Sequence, residues 1–184
     1  MNLEGKLLVS HPNMAKDSIF YKSVIYLYQD RVQQGSIGVI TNKPSKFTLG
    51  DLCNEKAILG NTVQEMVYHG GPVNTNALVL LHTAGWSSQN TAGAGNNLFI
   101  TSDNLMLEKL VHGDVPRYWR LFGGLCGWAP GQLIAELEGR YPFRAENSWL
   151  IAEPNTELLF EETGDKQWKT AVELSSQQMF DQYF

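Results

Sequence analysis

Residues 118–138 spell YWRLFGGLCGWAPGQLIAELE, a run that predicts a strand, a tight glycine turn and a helix. The apolar stretch 118–125 is typical of a strand, and Pro130 fits the first turn of the helix that follows. A strand that turns sharply into a helix can present a nucleophile, as in a nucleophile elbow, and Cys126 stands near the turn. Such a cysteine is more often a small buried residue beside glycines that allow close packing, and we favour this second interpretation.

Strands outnumber helices on both sides of this run. Apolar or alternating stretches predict seven more strands, at residues 7–10, 23–28, 36–41, 66–69, 77–82, 97–101 and 149–152. Helices are predicted over residues 48–52, after an N-cap at Ser102 or Asp103, and from near Asp165 onward. Many strands with a few interspersed helices indicate an α+β fold rather than a regular βαβ alternation. The length of 184 residues fits a single domain over residues 1–184.

The composition favours a protein of a reducing compartment. Its two cysteines, Cys53 and Cys126, lie far apart and form no C-x-x-C pair, unlike the dense pattern of a secreted disulfide scaffold. The first residues, MNLEGK, lack the charged and apolar regions of a signal peptide. No apolar run approaches the roughly 18 residues that a membrane helix needs. We therefore expect a soluble, cytoplasmic protein.

The charge distribution disfavours direct nucleic-acid binding. The net charge is −5, and residues 101–184 carry 13 acidic side chains against seven Lys and Arg. Binding to phosphates depends on cations that displace counterions, and no basic run is present. The predicted helix after Asp103 holds one Lys next to an acid, so it does not resemble a basic recognition helix.

Two turns carry residue types that could recognise a ligand. In the segment His69-Gly70-Gly71-Pro72, the glycines allow a sharp turn with an exposed backbone, and His69 could act as a base or a ligand. A lone histidine near a turn is more often structural, and adding His82 gives only half a metal site. A second turn follows the strand that ends in Asn42-Lys43-Pro44, where Asn and Lys could hold a polar ligand or simply form the turn.

Short motifs also recur along the chain in a defined order. They are GKLLVS at 5–10, SVIYL at 23–27, GVITNKP at 38–44, GGPV at 70–73, GW at 127–128, PGQL at 130–133, WL at 149–150 and ELLF at 157–160. In this order, and over most of its length, the chain resembles the AlgH/YqgE family of bacterial proteins. The match rests on the whole series, because each motif is weak alone.

This resemblance implies an α+β fold whose bifurcated, mixed or antiparallel sheet forms a partly closed pseudo-barrel flanked by a few helices. It implies a cytosolic bacterial protein that carries the label of transcriptional regulator. It brings no established reaction, cofactor or catalytic residue. Leu125 and Cys126 stand where the family tends to have Tyr and Ala, which weakens a thiol mechanism further.

The sequence favours a binding or regulatory module without catalysis, because its strongest motifs are glycine-rich turns with almost no titratable groups. We expect no metal or cofactor, and a small molecule or a protein as partner. The predicted ligand site lies where the turns converge: Asn42, Lys43, His69, Gly70, Gly71, Gly127, Trp128, Gly131 and Gln132. The alternative is a hydrolase- or transferase-like enzyme that uses Cys126 or His69 at a glycine-rich strand–turn–helix site. The oligomeric state is left open.

Overall fold

The chain folds around one curled sheet. The computed structural model describes residues 2–56, 58, 63–143 and 148–183, and in these residues ten strands form a half-barrel with helices around it. The strands are β1 Leu7–Ser10, β2 Val24–Arg31, β3 Gly35–Ile40, β4 Pro44–Thr48, β5 Met66–His69, β6 Val73–Thr83, β7 Ala92–Gly93, β8 Leu98–Thr101, β9 Trp119–Trp128 and β10 Trp149–Ala152. The predicted α+β fold with a bifurcated, partly closed sheet is confirmed.

Strand β9 is the branch point of the sheet. The main order is β10-β1-β2-β3-β9-β6-β8-β7, and β4 joins the sheet only through β5. One edge of β9 pairs with β6, while its other edge pairs first with β5, at 121–123, and then with β3, at 126–128. Gly124 lies between the two stretches with a φ of +77°, a left-handed conformation that glycine adopts without strain. The strand can therefore leave one partner and join the next.

Five helices are described: α1 Leu49–Glu55, α2 Asn104–Val111, α3 Gln132–Leu137, α4 Thr156–Phe160 and α5 Gly164–Tyr183. Thr48 and Asp51 form a capping box at the start of α1, and the Asp103 carboxylate caps α2 by accepting from the Met106 amide. Among the described residues, no helix is both long and apolar enough to cross a membrane.

Three groups of buried side chains hold the helices to the sheet. One lies under α4 and α5 and includes Tyr26, Phe122 and Ala171. A second lies between α3 and the strands that meet β1, and a third lies between α1, α2 and the sheet around β5. Apolar burial of this kind stabilises a fold by about 25 cal/mol per Å². The third group includes Val67 and Leu52, which also line the cleft described below.

The structure corrects two details of the 118–138 run. All eight predicted strands are present, but β9 continues to Trp128, because its last three residues pair with β3. Cys126 therefore lies within a strand and not at a strand–helix turn, so the chain does not form a nucleophile elbow at this residue. Helix α3 begins at Gln132 after an N-cap at Gly131, and Pro130 precedes the helix instead of forming its first turn.

Candidate functional site

A cleft opens where two strands carry extra residues. In β6, the four residues 74–77 face only Gly124 of β9, because Val73 pairs with Leu125 and Leu78 pairs with Gly123. In β4, the three residues 45–47 likewise face a single residue of β5. Extra residues of this kind bend a strand out of the sheet and are common next to active and binding sites. The two bulges form opposite walls, and β5 and β9 form the floor between them.

The floor of the cleft lies over Gly123, which has no side chain to fill the space. A side chain added there would meet only the Thr75 carbonyl oxygen, 3.7 Å from the added Cβ, so the space above this residue is open. The cavity has a volume of about 590 Å³, within the range of about 300–1,000 Å³ that is typical of ligand pockets. Its lining is apolar at Phe47, Leu52, Val67 and Leu78, polar at Ser45, His69, Thr75 and Asn76, and charged at Glu55 and Lys56.

Two of the predicted site residues, His69 and Gly71, line this cleft. His69 is exposed, and its imidazole has no hydrogen-bond partner among the described residues. Gly70 lies deeper, in the fork of the sheet, where its amide donates to Gly123 and its carbonyl accepts from the Ile40 amide at 2.8 Å. A Cβ at Gly70 would lie 2.1 Å from the Gly124 carbonyl oxygen, so this glycine permits a close backbone approach.

Asn42 has a structural role away from the cleft. Its side chain is 2% exposed, accepts from the Val24 amide at 2.9 Å, and donates to the carbonyls of Lys22 and Gly164. It therefore ties β2 to the start of α5. The neighbouring Lys43 donates to the Ile19 carbonyl at 2.7 Å, and partial burial lowers the pKa of its ammonium group. Neither side chain lines the cleft.

The predicted residues Gly127, Trp128, Gly131 and Gln132 lie at another place, where Trp128 and Gln132 bond to the Glu136 carboxylate of α3. This carboxylate accepts from the indole N–H groups of Trp128 at 3.2 Å and Trp149 at 2.8 Å, and from the Gln132 side chain at 2.9 Å. Phe20 stacks on Trp128 and meets Trp149 edge-on. Gly127 and Gly131 are exposed, with open space where a side chain would stand. The structure thus distributes the predicted site residues over three places instead of bringing them together.

Cys126 is not in a reactive environment. Its side chain is 1% exposed, and its thiol donates to the Gly70 carbonyl at 3.4 Å. Burial raises the pKa of this thiol to about 12, so the group is protonated at neutral pH. Nucleophilic cysteines require the thiolate, which is favoured by nearby positive charge and partial exposure.

Arg120 is a buried cation that was not predicted from the sequence. Its guanidinium donates to the carbonyls of Thr41 at 2.7 Å, Phe160 at 3.1 Å and Glu162 at 3.1 Å, and lies 4.2 Å from the centre of the Tyr68 ring. An Arg in the middle of an apolar strand was the only available signal. Because it joins β9, the end of β3 and the segment after α4, Arg120 fixes the sheet fork beneath the cleft.

The histidines and acids do not form a metal site in the described residues. No group of three or more His, Cys, Asp or Glu side chains among them is placed to hold an ion. His82 is fully buried, with Nδ1 2.9 Å from the Thr83 carbonyl and Nε2 2.9 Å from the Thr101 hydroxyl. Both ring nitrogens are thus engaged in the core.

Sequence and structure comparisons relate this chain to the same group of proteins. A sequence profile described as AlgH-like matches residues 7–179. UPF0301 proteins of Stenotrophomonas maltophilia and Methylococcus capsulatus are each 32% identical, over 93% and 91% of this chain and 88% of their own length. The solution structure of AlgH from Pseudomonas aeruginosa aligns with a TM-score of 0.77 at 28% identity, covering 95% of this chain and 89% of that one. The chain therefore belongs to the AlgH-like family of UPF0301 proteins.

Proposed function

We propose that this protein is a non-catalytic, ligand-binding regulatory module of the cytoplasm, and that its ligand occupies the cleft over Gly123. The observation that carries the proposal is the pair of bulges in β4 and β6, which both line a cavity of about 590 Å³ over Gly123. Regular pairing would close this space. Two strands that both depart from regular pairing beside the same cavity support a binding role more than a packing role.

The lining indicates the kind of ligand. Phe47, which is 44% exposed, and Leu78 offer apolar contact, while Thr75 and Asn76 in the β6 bulge offer hydrogen bonds at one side. Ligand sites combine a mostly apolar wall with a few polar groups that set orientation. The ligand that fits is a small organic molecule with an apolar or aromatic body and polar groups at more than one side, because Ser45 and His69 also line the cleft.

Catalysis receives less support. A general base needs a partner that orients it or a pKa adjusted to its task. His69 has no such partner among the described residues, and the Cys126 thiol is buried and protonated. The free, buried cysteines and the acidic C-terminal third support a cytoplasmic protein that acts through a metabolite or a protein and not through DNA. Tight, salt-sensitive binding to duplex DNA would contradict that part of the proposal.

The cleft can be tested with two matched glycine variants. Gly123→Val fills the cleft floor, while Gly127→Val adds the same side chain to the same strand at an open, exposed position. A library of small organic fragments would be screened by NMR chemical shifts on the labelled protein. We expect hits that shift the amides of His69, Gly71 and Thr75, and we expect Gly123→Val alone to lose them. Hits that bind both variants equally, or a screen without hits at the cleft, would refute the proposal.

A further inference from the structure

The cleft over Gly123 adjoins a second, smaller cavity at the start of α2. This second cavity has a volume of about 130 Å³. Three residues, Lys56, Asn76 and Leu78, line both cavities, so they mark the junction between them. The other residues that line the second cavity are Ser102, Asp103, Asn104, Met106 and Leu107. A ligand over Gly123 therefore has one end of its site at the junction, beside the polar side chains of Lys56 and Asn76.

Helix α1 presents two opposite charges to the cleft. Leu52, Glu55 and Lys56 all line the main cavity. They are spaced by three and four residues, a spacing that puts side chains on one face of a helix. Lys56 caps the helix, and its amide still donates to the Leu52 carbonyl at 3.1 Å, so this face continues to Lys56. One helix face thus borders the cleft with an apolar, an acidic and a basic side chain.

Neither charge is neutralised within the part of the chain that the structure describes. There, no ion pair or hydrogen bond engages the Glu55 carboxylate or the Lys56 ammonium group. The acid of the second cavity differs, because Asp103 accepts from the Ser88 hydroxyl and from the amides of Asn90 and Met106. A bound ligand without charge, or with a single charge, would shield Glu55 or Lys56 from water without replacing the lost hydration. A ligand with both charges would pair with both.

The donors and acceptors indicate how such a ligand is oriented. An ammonium group can only donate, and the side-chain amide of Asn76 offers two N–H groups. Lys56 and Asn76 both lie at the junction, so the negative group of the ligand belongs there. An ionised carboxylate can only accept, and Glu55 lines the main cavity but not the second one, so the positive group belongs on the main side. The remaining space over Gly123 is bordered by apolar side chains.

We propose that the ligand of the cleft is a zwitterion, a free amino acid with an apolar or aromatic side chain. Its carboxylate bonds to Lys56 and Asn76, and its ammonium group bonds to Glu55. Its side chain lies over Gly123, beside the exposed ring of Phe47. This assignment rests on the proposed function, because it names the ligand class of the same cleft. A chain terminus of a peptide fits less well, since it offers only one of the two charges.

The probes are L-phenylalanine and L-leucine, titrated into the labelled full chain and followed by NMR chemical shifts. For the tighter of the two, the N-acetyl derivative removes the ammonium group and the carboxamide derivative removes the carboxylate. Glu55→Gln and Lys56→Gln each remove one charge from the cleft at nearly constant size. Glu173→Gln and Lys169→Gln make the same changes at exposed positions of α5 outside the cleft, and they are the matched controls.

We expect the free amino acid to shift the amides of Lys56, Asn76 and Gly123, and to bind more tightly than either derivative. Glu55→Gln and Lys56→Gln should each weaken its binding about two- to fivefold, the range of an exposed ion pair. Lys56→Gln should leave the affinity for the carboxamide unchanged, because this derivative has no carboxylate to lose. Glu55→Gln should likewise leave the affinity for the N-acetyl derivative unchanged, and both α5 variants should bind as the parent does.

The ligand class is overturned if neither amino acid shifts the cleft amides, or if a derivative binds as tightly as the free amino acid. It is also overturned if Glu55→Gln and Lys56→Gln bind the free amino acid as the parent does. These failures are distinct from failure of the cleft itself. Uncharged fragments that bind over Gly123 and are lost in Gly123→Val would preserve the cleft and refute the zwitterion, whereas no binding of either kind would refute both.

Discussion

Replacing Arg120 should separate the contribution of its charge from that of its hydrogen-bonding geometry. Arg120→Met keeps an apolar stem of similar length and removes every donor, so the carbonyls of Thr41, Phe160 and Glu162 lose the guanidinium at once. Arg120→Lys keeps the charge but replaces the planar fork with a single ammonium group. Both variants leave the cleft lining unchanged.

The expected loss follows from the number of groups left without a partner. A buried acceptor without a donor costs about 1–3 kcal/mol, although part of this is recovered when water enters or the carbonyl turns. The contact with the Tyr68 ring adds about 0.5–2 kcal/mol. Removing one member of a buried charged network typically destabilises by about 3–5 kcal/mol, and we expect Arg120→Met to fall in that range. Arg120→Lys should lose about half as much, since an ammonium group can serve only some of the carbonyls.

Urea unfolding followed by far-UV circular dichroism measures both values, provided that the slope with denaturant stays constant. The order parent, Arg120→Lys, Arg120→Met is the expected order of stability. If Arg120→Met unfolds within about 1 kcal/mol of the parent, the fork is held by strand pairing alone, and the argument from unsatisfied carbonyls is wrong.

Three further predictions concern the core. Burial lowers the pKa of His82, so the folded state favours the neutral imidazole. The free energy of unfolding should therefore be highest above the pKa of an unfolded histidine, about 6.5, and should decrease as the pH falls below it. Comparing urea midpoints at pH 7.5 and 5.5 checks this, and His82→Asn should show a smaller decline. Glu136→Gln should cost about 1–2 kcal/mol and change tryptophan fluorescence, because a neutral amide oxygen is a weaker acceptor for the two indoles than the carboxylate oxygen, and an amide NH2 cannot accept from the Gln132 side chain; unchanged emission would contradict it. Gly70→Ala should cost about 1–3 kcal/mol in thermal unfolding, because its Cβ meets a backbone oxygen, whereas Gly127→Ala should be neutral or slightly stabilising.

Local patterns in the sequence predicted eight of the ten described strands and most of the helices, because apolar runs and N-caps such as Asp103 depend on near neighbours. Strand β4 was missed, since its residues Pro-Ser-Lys-Phe-Thr have no strand pattern and pair only because β5 lies beside them. Cys126 was placed near a turn for the same reason: pairing with β3 extends β9, and β3 lies far away in sequence.

The candidate site was predicted only in part. His69 and Gly71 were identified from residue types that allow a sharp turn and an exposed backbone. Gly123 and the β6 bulge were not, because a bulge has no period in the sequence and becomes visible only when the register of two strands is known. Asn42 looked like a ligand group, yet its role depends on a bond to Gly164, 122 residues later. No local pattern encodes such a contact.

The pairing of β1 with β10 also sets an order of events during synthesis. Leu7 pairs with Ala152, so β1 gains this outer neighbour only after the residues between the two strands have been made. At about 5–20 residues per second, this edge of β1 stays unpaired for roughly 7–29 s. During this interval the nascent chain exposes the apolar edge Leu-Leu-Val, a natural point of contact for a chaperone. Any truncated product that lacks β10 keeps this edge open, so chains that end before Trp149 should aggregate or be degraded more than chains that contain β10.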